Sequence, residues 1–102
     1  MIYIRKRVSQ GRHNLGVASF ARKVVSAGWN KVWSDLPGNT KPPIINGFIP
    51  DIYATHTNGR RHLVEIETID SINTRHALQQ KAAFQAWVNA SPRTRSFKIK
   101  LV

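Results

Sequence analysis

The chain has no cysteine, so neither a disulfide framework nor a thiolate metal site is open to it. It has no apolar run approaching the ~20 residues that a membrane-spanning helix requires. Its first residues, MIYIRKRVSQ, are too basic and polar for a secretory signal. Internal repeats, low-complexity tracts and composition breaks that would split the chain are missing as well. The expectation is one intracellular domain over residues 1–102, opened by a basic segment at 1–13, with no membrane partner. Negative charge is also scarce. Five Asp and Glu stand against sixteen Lys and Arg, for a net charge of +11 and a pI near 11.3. A field of that sign on so small a body favours polyanions, with nucleic acid foremost and acidic lipid as the blander alternative. At 41% hydrophobic and 21% charged residues, the composition is otherwise that of a folded globular protein.

Asn14 is a plausible N-cap, and LGVASFARKVVSAG after it predicts a helix with one apolar stripe, Val17, Phe20, Ala21, Val24 and Ala27, ended by Gly28. The following WNKVWSDLPGNTKPP, with its Pro-Gly and paired prolines, reads as loop. Trp29 and Trp33 read there as packing anchors rather than base-stacking platforms. IINGFIPDIYATHT reads as two short strand pieces bent at Gly47 and Pro50. Asn58-Gly59 is the strongest turn signal, and HLVEIET, residues 62–68, returns antiparallel. Asn73 or Thr74 caps a second helix of about 75–89, and SFKIKLV alternates as a last strand. The order α-β-β-β-α-β is that of an α/β domain, a small mixed sheet with helices packed on it.

HLVEIET raises the functional question, because it spends two of five acids on one strand. Glu65 and Glu67, two apart, share a face while Val64 and Ile66 share the other. Like charges so close repel, and burying them is costly unless a cation neutralises them. Hard oxygen ligands at that spacing suit Mg²⁺, with Mn²⁺ as the alternative. Whether Asp51 joins them depends on hairpin register. A two-residue Asn58-Gly59 loop pairs Thr57 with Arg60 and sets Asp51 opposite Ile66, on the wrong face. A three-residue loop with Gly59 left-handed pairs His56 with Arg60 and sets Asp51 opposite Glu65. The bulged form is the expectation. On the second helix Ala77, Gln80, Phe84, Trp87 and Val88 form a stripe with Lys81 at its edge. Gln80 is either a backbone-satisfied core glutamine or a side chain aimed at the carboxylates. His56 and His62 flank the turn but lack a third ligand, so they read as surface or DNA-contacting residues.

Pro50-Asp51, Glu65-Ile66-Glu67 and Gln80, in GFIPDIYATHTNGRRHLVEIET followed by HALQQKAAFQAW, resemble the PD-(D/E)xK nuclease superfamily. Small archaeal-type Holliday junction resolvases and stand-alone VRR-NUC domains are the nearest in style. The resemblance spans nearly the whole chain and implies a restriction-endonuclease-like minimal core and a Mg²⁺-dependent DNA endonuclease. It implies Asp51, Glu65 and the Ile66 carbonyl as metal ligands, Glu67 and Gln80 as further catalytic groups, and a homodimer for paired cuts in branched or duplex DNA. Trp87, Val88 and the last strand's edge are the candidates for the dimer surface. Two departures stand out: Glu67 replaces the usual Lys, a role Lys81 could take up from the helix, and the stretch read as the first helix has no Glu. The resemblance also sets Ser34 near the scissile phosphate. Arg5, Lys6, Arg7, Arg12, Arg60 and Arg61, with Arg93 and Arg95, are the expected phosphate contacts, which position DNA without reading its sequence. The rival readings are an inactive nuclease fold that binds DNA and a small basic RNA-binding protein. Only the last leaves the carboxylate grouping unexplained.

Overall fold

The computed structural model describes residues 7–102. Its elements follow the chain as α1 (Arg7–Ser26), β1 (Lys31–Ser34), β2 (Ile52–Thr55), β3 (Arg61–Glu67), α2 (Arg75–Ala90) and β4 (Arg95–Leu101). The four strands make one sheet in the order β1-β2-β3-β4, antiparallel through β3 and then parallel, with α2 as the crossover to β4. The fold is thus compact α/β, a four-stranded mixed sheet with two helices, in the element order expected. Among the described residues, no helix is long and apolar enough to cross a membrane.

Three features differ from the sequence reading, so the first strand of the expected order is not the segment expected. The first helix begins at Arg7, a full two turns before Asn14. Gly11 and the basic run mask the extension, which is held by contacts that His13 makes across the fold (below). The first strand is Lys31–Ser34, inside the stretch read as loop. Its Val32 and Trp33 face opposite sides, Val32 against the cluster beneath α1 and Trp33 against Tyr53, so four residues suffice to join the sheet. The piece expected as a strand near residue 45 instead closes on itself. Asn46 and Gly47 both take positive φ, 49° and 90°, in a two-residue turn with Ile45 and Phe48 bonded in both directions. The Asn46 side chain ties that turn to α2 through the Ala83 carbonyl, at 3.0 Å.

Strand β3 is buried on both faces. Val64 and Ile66 meet Val17, Val24, Ile52 and Ala54 under α1, while Leu63 meets Tyr53, Phe84 and Trp87 under α2. Strand β4 is an edge, and its exposed Lys98 and Lys100 discourage further strand pairing there. Thr74 caps α2, accepting from the Ala77 amide.

The hairpin takes the bulged form. The His56 amide donates to the Arg60 carbonyl at 2.9 Å, the Gly59 amide to the His56 carbonyl at 2.9 Å, and Gly59 sits at φ 92°. Thr55 therefore faces Arg61 and Ile52 faces Val64. One step further along, Asp51 comes to Glu65.

Helix α1 lies close to the sheet at Gly16, where an added Cβ would stand 2.9 Å from both Ile66 Cγ2 and Val102 Cγ1. Gly11, on the same helix, has nothing within 4 Å of that position. Gly16→Ala should therefore destabilise the protein by about 1–3 kcal/mol through overpacking. Gly11→Ala should stabilise it by about 0.5–1 kcal/mol through helix propensity. Urea unfolding of the pair checks both signs.

Candidate active site

Fully buried Pro50 leads the chain into Asp51 at the mouth of β2, beside the C-terminal end of β3. The two segments are stitched by their own carboxylates. The Asp51 amide donates to Glu65 Oε1 at 2.8 Å, and the Ile66 amide donates to Asp51 Oδ2 at 2.8 Å. Asp51 is 9% exposed, and Glu65 and Glu67 are each 4% exposed, so three acids share the interior end of a strongly basic protein. Burial, chiefly, and the adjacent Asp51 charge push the Glu65 carboxyl well above the usual range, with Glu67 adding to the effect. Glu65 is accordingly protonated at pH values where an exposed glutamate is charged.

Beyond β3 the chain turns through Thr68–Ser71, and this turn secures Glu67. The Ser71 hydroxyl donates to Glu67 Oε2 at 2.5 Å, and the Thr68 amide donates to Ser71 Oγ at 3.0 Å. Thr68 Oγ1 donates to Asp70.

The helices close the site over a cleft of about 250 Å³. Helix α1 supplies Gln10, His13 and Asn14, and α2 supplies His76 and Gln80. Asp35, which follows β1, makes four of the five acids in the cleft wall. His13, 6% exposed, places Nε2 3.1 Å from Asp51 Oδ2.

Of the residues expected at the site, Asp51, Glu65, Glu67 and Gln80 line one cleft, and the Ile66 backbone reaches it through its amide. Lys81 is exposed on α2 and lines a neighbouring groove, between α2 and β4, that Glu65 and Glu67 also border. Ser34 is buried in a different groove between α1 and β1, accepting from the Asn39 side chain at 2.7 Å. Arg5 and Lys6 lie outside the described residues. Arg7 opens α1, and Arg12 is exposed on it. Arg60 and Arg61 stand at the start of β3, at the opposite end of the sheet from the carboxylates. His56 and His62 do not form a pair; they bracket Trp29, at ring distances of 6.1 and 5.6 Å.

His13, Asn14, His76 and Ser71 were not legible as site residues. Carrying the Val17 stripe back by helical steps gives His13 and Gln10, a signal hidden when the helix is begun at Asn14. His76 shares the face of Gln80 by the same spacing, and Ser71 leaves no periodic trace.

Among the described residues, no three His, Asp or Glu side chains present a ready-made cation cage. The oxygens are instead turned onto backbone amides, His13 and Ser71. The donor set nonetheless suits a hard divalent ion. Burial beside the Asp51 charge disfavours the charged form of Glu65, and a cation held between the two carboxylates would offset the same repulsion.

This arrangement has a signed consequence. Glu65 titrates above its ordinary 4.5, so its neutral form supports the fold below that value and the support is lost as pH rises through the raised value. In EDTA, Glu65→Gln should change the melting temperature little in acid, where Glu65 is neutral, and raise it by several degrees in alkali, where the native chain loses that support, at roughly 4–8 °C per kcal/mol. A lower melting point at the higher pH would show that the fold itself neutralises the Glu65 charge.

No family model matches the chain, and neither a curated protein nor a solved structure matches it significantly.

Proposed function

We propose that the protein is a metal-dependent endonuclease of the restriction-endonuclease-like fold that hydrolyses phosphodiester bonds in DNA, structure-specifically in the manner of a junction resolvase. The observation that carries this reading is the meeting of buried Asp51 and buried Glu65, joined by the bond from the Asp51 amide to Glu65 Oε1, in one cleft of a protein of net charge +11. Acids that would repel a polyanion are hard to account for at the heart of such a molecule unless they hold the cation that meets it. The α-β-β-β-α-β order, with Pro-Asp and Glu-x-Glu at adjacent strand ends, supports the fold assignment.

When bound, a hard ion such as Mg²⁺ or Mn²⁺ supplies a Lewis acid for charge developing on the phosphate. Asp51 and Glu65 would hold it, with the Ile66 carbonyl as a further ligand. His13 and the Ile66 amide both meet Asp51 Oδ2 and fix the tilt of that carboxylate. Glu67, steadied by Ser71, is the acceptor for the proton of the attacking water. Gln80, in the same wall, offers an amide donor to a phosphate oxygen. Lys81 borders the adjoining groove with Glu65 and Glu67 rather than the cleft that holds Asp51, and Glu67 is assigned the water-activating role.

Paired cuts in a branched substrate call for a homodimer, acting where DNA is found inside the cell. Trp87, at 8% exposure, is not available to such an interface. Leu78 and Leu101, about half exposed beside the groove between α2 and β4, are the better surface.

The test is cleavage of end-labelled four-way junction, duplex and single-stranded DNA with Mg²⁺, Mn²⁺ or EDTA. Metal-dependent cuts are expected, and Asp51→Asn should lower their rate at least ~100-fold while DNA binding is retained. Unchanged cleavage by that variant would sink the reading. Binding without cutting under every metal would instead favour a DNA-binding role, an outcome to which the Ser71-bound Glu67 at the usual lysine position also points.

A further inference from the structure

The carboxylates of this protein are gathered at one end of the sheet. Asp35, Asp51, Glu65 and Glu67 line the cleft at one end, and Asp70 follows β3 at that same end. At the opposite end β3 and β4 start side by side, with Arg61 opposite Arg95. Arg60 closes the hairpin there, and Arg93 lies in the turn between α2 and β4; both are exposed. Arg60, Arg93, Arg95 and Trp29 line a second pocket of about 230 Å³, and no carboxylate contributes to it.

Three arginines border one small pocket, and no carboxylate in its wall offsets their charge. The pocket is also pre-ordered. Arg95 is anchored by a 2.9 Å bond from Nη1 to the Trp87 carbonyl, with its guanidinium 4.8 Å over the Trp87 ring. One of its five donors is used there, which leaves others to offer. Trp29 is braced by the near-parallel ring of His62, at 19°, and by the edge of His56. Forked guanidinium donors match the oxygens of a phosphate, and the arginine is held before any ligand arrives. A lipid surface fits poorly, because none of the exposed large apolar side chains lines this pocket.

We propose that the pocket formed by Arg60, Arg93, Arg95 and Trp29 is a phosphate site that holds the DNA backbone at the end of the sheet remote from the carboxylate cleft. It rests on DNA being the partner in the reading above and not on the chain's ability to cut it. From Arg61 to Glu67 the strand runs about 20 Å, at about 3.3 Å per residue. That is about six base steps of duplex at about 3.4 Å each, so one molecule of DNA can engage both ends.

The experiment is fluorescence anisotropy of a labelled duplex of about 20 base pairs over about 50 to 200 mM salt, in EDTA. Arg60→Gln with Arg93→Gln is compared with Arg22→Gln with Lys23→Gln, which removes the same charge from the outer face of α1. The pocket pair should weaken binding at least ~10-fold at the highest salt at which binding is measurable and lower the salt slope by about 2, the control pair by well under 1. Equal losses from both pairs would overturn the site in favour of a diffuse field, as would no loss from the pocket pair or no binding by the unaltered protein. Asp51→Asn, assayed separately for cleavage in Mg²⁺, separates the two proposals: loss of cleavage reports on the carboxylates, and the salt slope in EDTA reports on the arginines.

Discussion

With Gly59 at φ 92°, the loop between β2 and β3 takes three residues rather than two, and every pair along the hairpin is set by that choice. Side chains alternate with a period of two, so a slip of one residue would carry Asp51 to the other face of the sheet. The core depends on the same register as the carboxylates do. Ile52 and Val64 meet under α1 only because Tyr53 and Leu63 meet under α2. Apolar burial along β3 therefore enforces the meeting of Asp51 and Glu65, which by themselves would repel.

The cost of that meeting is visible in how the site is wired. Each carboxylate is answered by a donor from a different part of the chain: Glu65 by the Asp51 amide, Asp51 by the Ile66 amide and His13, Glu67 by Ser71. Buried acids without such partners would be far more costly. Even so, Glu65 keeps its proton more tightly than usual, because hydrogen bonds do not replace the solvation that burial removes.

Strand and helix identity from Ile52 onward was legible because alternation and helical spacing there agree with burial. The Leu63–Glu67 run is buried throughout, and Ala77, Phe84 and Trp87 fall on one helical face. The bulged turn could be argued from Thr57-Asn58-Gly59, since only one register brings the acids together. The region before Ile52 was harder. Strand β1 is four residues long and borrows its stability from β2, leaving little local pattern. The early turns of α1 carry Gly11 and basic side chains instead of an apolar stripe, and their support is the non-local bond from His13 to Asp51, 38 residues away. The missing first-helix acid and the unread His13 are two sides of one event: a site residue came from a stretch whose helical state only the folded molecule reveals.

The close approach at Gly16 bears on more than packing. His13 lies one turn before it on the same helix, so the depth at which α1 rests on Ile66 and Val102 also sets how near the imidazole comes to Asp51. A methyl group's thickness at Gly16 would be transmitted along a rigid rod to a 3.1 Å contact. The glycine thus acts as a spacer of zero width: it lets the helix serve as the site's gauge, translating an apolar contact in the core into the placement of a polar group at the cleft.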